Sequence, residues 1–149
     1  PAHIEQYRQL ARELGVEARV HLTGPRPLSD MAALMTDADL LVSPRTKGRN
    51  TPMKIYSYMA SGKPILATNL YTHTQVLDNE TAVLVAPESF AVAEGLARLV
   101  ADPALRSRLG QAAVRAVEEK YSARVYRQTV NELYDWLSAQ RREAKVKTG

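Results

Sequence analysis

Cysteine is absent from the 149 residues, which excludes disulfide scaffolds, thiolate metal sites and cysteine nucleophiles together and fits a reducing, cytoplasmic setting. Aromatic side chains make up only 6%, and they form no stacking pattern among the basic residues of the kind that grips single-stranded nucleic acid. No stretch approaches the ~18 consecutive apolar residues of a membrane span, and the opening PAHIEQYRQL holds no apolar run. A glycine-rich dinucleotide fingerprint and a nucleophile elbow are both missing. Acid is missing locally as well. Between Asp39 and Asp78 there is none, yet Arg45, Lys47, Arg49, Lys54 and Lys63 all fall in that window. What remains is a chain 45% apolar and 24% charged, long enough to bury on the order of 70% of its unfolded surface as one soluble domain.

The net charge of +4 is unevenly spread. Residues 1–105 carry 10 basic and 11 acidic side chains, whereas 106–149 carry 10 and 5. The basic C-terminal part, ending in RREAKVKTG, suits peripheral contact with an acidic membrane surface. Interspersed acids favour a solvated helical face instead and give no reason to expect nucleic acid as a partner.

Periodicity predicts alternating helices and strands. Ile4, Tyr7, Leu10, Ala11 and Leu14 recur at helical spacing, so a helix over about 2–14 is expected, stopped by Gly15. Val20 and Leu22 read as a short strand ending at Thr23-Gly24, and Ser29 reads as the cap of a brief helix bearing Met31, Leu34 and Met35. Three further strands are expected at Leu40–Val42, Pro64–Thr68 and Ala82–Val85. Strands apolar on both faces and separated by helical segments indicate a parallel sheet covered on both sides, an α/β doubly wound fold. Beyond the last strand the pattern is helical, with starts at Pro87-Glu88, Asp102-Pro103 and Ser122. The final helix carries a stripe of Tyr126, Val130, Leu133 and Leu137, widened by Tyr134 and Trp136, which reads as packing. No internal repeat occurs, and a single domain over 1–149 is expected.

Ligands of open parallel sheets sit at the carboxyl edge of the strands, which directs attention to the loop SPRTKGRNTPMKIYS. Thr51-Pro52 is a strong helix start, with Thr51 as N-cap. Acids normally occupy the first turn of a helix, and here Lys54 does, which costs roughly 0.3–1 kcal/mol unless an anion neutralises it. A phosphate or diphosphate held by Arg45, Gly48, Arg49, Asn50, Thr51 and Lys54 is the expected ligand. Lys54, Ser57 and Ser61 share one helix face. His73 stands at a loop-to-helix transition, either within reach of a ligand or as a capped surface residue. His3, His21 and His73 are far apart without paired carboxylates, so no metal site is expected.

The run LLVSPRTKGRNTPMKIYSYMASGKPILATN, preceded by VHLTG and followed by TAVLVAPES, resembles the C-terminal, donor-binding half of GT-B retaining glycosyltransferases, in particular glycosyltransferase family 4. The likeness covers nearly the whole chain, and MASGKPILATN is its most specific block. It implies a Rossmann-like half-domain that grips a nucleotide-diphosphate sugar as donor substrate, with no further cofactor and no metal, and transfers the sugar with retention. It also implies nucleoside contacts from Gly24, Arg26 and Ser57. A non-catalytic α/β anion-binding or regulatory module is the alternative; a receiver module of that kind would need acids at its strand ends, where Ser43, Thr68 and Asn69 stand.

The sequence departs from that family in two respects. The usual two glutamates, separated by seven residues, align with Arg49 and Ser57, so both acids are replaced; a guanidinium at 49 would suit a carboxylated sugar. The likeness also starts inside the half-domain. The acceptor-binding half and the first strands are then expected as partners elsewhere in the same polypeptide, and open strand edges would favour self-association.

Overall fold

The protein is described by a computed structural model over residues 2–147, with side chains over 4–141. His3 and the tail beyond Arg141 therefore lie outside the described side chains. The chain falls into two compact units, 1–36 and 37–149.

In the first unit α1 spans Ala2–Glu13, and Gly15, at φ 67°, turns the chain away in the left-handed conformation that glycine adopts without strain. Of the apolar stripe only Ala11 is buried, while Tyr7, Leu10 and Leu14 stay exposed. The strand expected at Val20 and Leu22 does not form. A 3-10 turn occupies Glu17–Arg19, and Val20 after it is extended but lies in a unit with no strand among its described residues; a strand exists only through its ladder. Ser29 is no helix cap either. It lies inside a second 3-10 turn, Leu28–Asp30, its hydroxyl on Asp30, before α2 at Met31–Asp37.

In the second unit the three expected strands appear within a residue or two: β1 Leu41–Ser43, β2 Ile65–Thr68 and β3 Val83–Val85. They pair in parallel in the order β1-β2-β3, with Leu41 opposite Ile65 and Leu66 opposite Val83. Helix α3, Lys54–Ala60, joins the first two strands, and the short α4, Tyr71–Thr74, follows β2. Then come α5 Ser89–Ala101, α6 Pro103–Tyr121 and α7 Ala123–Lys147. Asp102 caps α6 as expected, its carboxylate accepting from the Leu105 N–H at 2.8 Å.

Alternation along β2 builds two cores. Ile65 and Ala67 meet Ile55 and Met59 of α3 and Ala113 of α6, whereas Leu66 meets Leu99 of α5 and Leu105 and Leu109 of α6. Helix α6 thus serves both faces, and it crosses from one to the other at Gly110. A Cβ there would overlap the carbonyl oxygen of Gly62, just before β2. The crossing therefore takes place at the amino end of β2, and the carboxyl edge stays clear of it. An edge-to-face contact of Tyr56 with Tyr121, centroids 5.2 Å apart, ties α3 to the end of the same helix.

The stripe on α7 does not pack as its spacing suggests. Tyr126 is 70% and Trp136 57% exposed, and Leu133, Tyr134 and Leu137 are also open. Half-buried Val125 and Val130 near the start of the helix carry its described apolar packing.

Helix propensity alone would make Gly110→Ala stabilising by up to ~1 kcal/mol. The backbone overlap with Gly62 reverses the sign, and we expect a loss of at least ~2 kcal/mol. Gly15→Ala, with open space around its Cβ position, should cost only the left-handed strain of about 1 kcal/mol. Urea unfolding midpoints of the two variants check this; an unchanged or raised midpoint for Gly110→Ala contradicts the close approach.

Candidate functional site

The carboxyl ends of β1 and β2 terminate in polar residues that are nonetheless buried. Ser43, Thr72 and His73 have no exposed surface and Thr68 has 1%, so each must be satisfied by protein. His73 Nδ1 lies 2.8 Å from the Thr68 carbonyl oxygen. A carbonyl can only accept, so Nδ1 carries the proton, and Nε2 of the neutral ring accepts from the Ser43 hydroxyl at 2.9 Å. The ring is thereby a strut between two strand ends. It is not the surface histidine that the sequence allowed, because the turn into α4 carries it inward.

The loop after β1 is bonded to this buried cluster from several sides. Thr68 Oγ1 donates to the Arg45 carbonyl at 2.7 Å, and Thr72 Oγ1 donates to the Asn50 carbonyl at 2.5 Å. Arg45 Nη1 reaches both the Asn50 carbonyl and Thr72 Oγ1 at 3.3 Å. Gln75 Nε2 holds the Arg49 carbonyl at 2.9 Å. Gly48, at φ 140°, sits where a Cβ would come within 3.0 Å of Arg45 Nη1. Arg45, Lys47, Gly48, Arg49 and Asn50 are all exposed on this anchored loop.

The start of α3 differs from expectation. Thr51 makes no cap; the N–H of Ile55 bonds to Pro52 and that of Tyr56 to Met53, a tight turn after which the helix begins at Lys54. The local i→i+3 bonds take the place of the side-chain cap. Lys54 is exposed, and its ammonium lies 5.5 Å over the Tyr58 ring. Partial burial, and then the like charge of Arg45, hold its pKa below the usual lysine range. Ser57 is exposed near it, whereas the Ser61 hydroxyl is bonded to the Tyr58 carbonyl at 2.7 Å.

Of the residues singled out by sequence, the structure brings together Arg45, Gly48, Arg49, Asn50, Lys54 and His73; Thr51 stands half-buried in the same loop. Gly24 and Arg26 belong to the first unit, where Gly24 adopts φ 67° and both are exposed. Sequence reasoning passed over Thr72 and Gln75. The readable signal was a polar residue closing each of two otherwise apolar strands, Ser43 and Thr68, followed by Thr72-His73.

Burial pushes the His73 pKa down, the Thr68 carbonyl opposes this, and the charges of Arg45 and Lys54 add to the lowering. The folded ring therefore protonates at lower pH than the unfolded one, near 6.5. Above that value both states are neutral and nothing is lost. As pH falls below it towards the folded pKa, the unfolded chain binds a proton the native one refuses, and stability drops by up to ~1.4 kcal/mol per pH unit. Urea titrations at pH 7.5 and 5.5 should show a steeper loss for the wild type than for His73→Gln; parallel losses would contradict the buried neutral ring.

Comparison with known proteins places this geometry in a family. Residues 1–102 match the family described as glycosyl transferases group 1. The D-inositol 3-phosphate glycosyltransferase of Corynebacterium glutamicum (strain R) is 35% identical over 112 residues, 74% of this chain and 27% of that protein. The chain thus spans about a quarter of the length of that relative. The sucrose-phosphate synthase of Thermosynechococcus elongatus superposes with a TM-score of 0.79 at 25% identity, covering 93% of this chain and 35% of that one. HepE of Anabaena, solved in complex with UDP, gives a TM-score of 0.81 at 22% identity over 89% of this chain and 36% of its own, a likeness of fold. On the match over 1–102 and the identity to the corynebacterial enzyme, this chain belongs to the group 1 glycosyl transferases.

Proposed function

We propose that residues 37–149 supply the donor-binding part of a glycosyltransferase, and that the Arg45–Lys54 loop holds the diphosphate of a nucleotide-diphosphate sugar whose glycosyl group passes to an acceptor with retention. The observation that carries this reading is an exposed loop bearing Arg45, Lys47, Arg49 and Lys54 with no acid, fastened at the carboxyl edge of a parallel sheet. Sugar transfer from a nucleotide donor leaves a nucleoside diphosphate, and negative charge grows on it as the glycosidic bond breaks. Fixed cations stabilise that leaving group more in the transition state than in the ground state, and this difference is what accelerates transfer. Side chains rather than a metal ion have the neutralising part in this reading.

The ribose and base would extend towards Ser57. Arg49 and Asn50 would face the sugar, where the family's first glutamate is replaced. The acceptor-binding half is expected elsewhere in the polypeptide. HepE, solved with UDP, supports the ligand class, and the name of the corynebacterial glycosyltransferase supports glycosyl transfer.

Lys54→Ala should weaken binding of a nucleoside diphosphate about tenfold, the loss of one charge-assisted contact. Arg108→Ala, removing an exposed cation that lines a cavity with Asn79 and Ala82 at the amino end of β3, the opposite edge of the sheet, should change it less than about twofold, because salt screens exposed charges. Calorimetric titration with UDP, GDP and ADP, and UMP as control, makes the comparison. Equal losses in the two variants reject the loop as the phosphate site.

A further inference from the structure

Thr72 is fully buried at the second position of α4, and the phosphate-binding role proposed above does not itself use it. Its hydroxyl nevertheless closes a ring with the loop. Oγ1 donates to the Asn50 carbonyl and accepts from Arg45 Nη1, which also reaches the Asn50 carbonyl. One hydroxyl therefore fixes both the far side of the loop and one nitrogen of its first cation. Gly48 leaves room for this: a Cβ there would lie 3.0 Å from Arg45 Nη1 and 3.7 Å from Thr72 Oγ1.

An arginine free on a surface loop loses rotamer entropy when a ligand immobilises it. Held in advance by Thr72, Arg45 avoids most of that loss. The bonds of its guanidinium to protein are all made through Nη1, and Nε and Nη2 have no protein acceptor among the described residues. Those two nitrogens are the adjacent donors that suit two oxygens of a phosphate group.

We propose that Thr72 is a positioning residue for anion binding: it holds the Arg45 guanidinium so that Nε and Nη2 face the diphosphate, and does not touch the ligand. This rests on the phosphate-binding reading of the loop. Thr72→Val keeps the shape of the side chain and removes the hydroxyl, while Thr72→Ser keeps the hydroxyl. UDP affinity measured by calorimetry for each, with and without Arg45→Ala, separates positioning from packing. Thr72→Val should weaken UDP about five- to tenfold where Arg45 is present and less than about twofold where it is absent, and Thr72→Ser should stay within about twofold of wild type. Equal losses in both backgrounds, or no loss on Thr72→Val, overturn the proposal. Should Thr72→Val fail to fold, Thr72→Ala, which removes the same hydroxyl without placing a methyl group against the Asn50 carbonyl, provides the same cycle with the same expected and overturning results. A wild type that binds none of UDP, GDP and ADP overturns the phosphate reading and this proposal with it, whereas binding indifferent to both substitutions overturns this proposal alone.

Discussion

A neutral imidazole wedged between two parallel strand ends sets the geometry of everything at the carboxyl edge. Parallel strands leave their last carbonyls and side chains unpaired at that edge, and water would ordinarily satisfy them. Here Ser43, Thr68, Thr72 and His73 are packed out of water, and they satisfy one another and the loop backbone. Every bond has a fixed direction, because Nδ1 must donate to a carbonyl and Nε2 must then accept. A buried polar network of this kind costs several kcal/mol if any member is left unpaired. The loop that it anchors is correspondingly confined, although nearly all of its own side chains lie in solvent.

The opposite end of the sheet makes that edge available. Helix α6 must reach both faces to complete both cores, and it crosses beside the Gly62 turn, at the amino end of β2, through the close approach that Gly110 permits. A crossing at the carboxyl end would have covered the cationic loop. Two glycines distant from the carboxyl edge thus decide which edge stays open, and the MASGKP block that contains Gly62 is conspicuous in the sequence for a backbone reason.

The parallel sheet, its three strands and the capped start of α6 were legible because each rests on a local pattern: an all-apolar run, or Asp before Pro. What escaped was whatever depends on a partner distant in sequence. Val20 and Leu22 have strand-like alternation but no ladder in their unit, and alternation alone cannot supply one. The α7 stripe has the spacing of a packed face and is open, since periodicity shows which residues share a side and not what lies against it. Thr51-Pro52 has the chemistry of a helix start, and i→i+3 bonds set the start later, at Lys54. At the site itself the cations were visible by the absence of acids between Asp39 and Asp78, but the buried hydroxyls that aim them were not, because Thr72 and His73 read locally as an ordinary polar turn.

The cations are also the least comfortable part of the fold. Burial, and then the like charge of Arg45, displaces Lys54 from its ordinary range, and both cations act on the buried His73 in the same sense. In the family pattern a glutamate would stand at Arg49 and another at Ser57, and either would relieve this repulsion. Their replacement removes the internal counter-charge and leaves a bound anion as the natural source of one. The loop is therefore held by hydrogen bonds while its charges repel, and in the proposed function the protein carries the cost of assembly and a bound diphosphate gains from relieving it. Preorganised charge of this kind is what stabilises a departing diphosphate without rearrangement at the moment of bond cleavage.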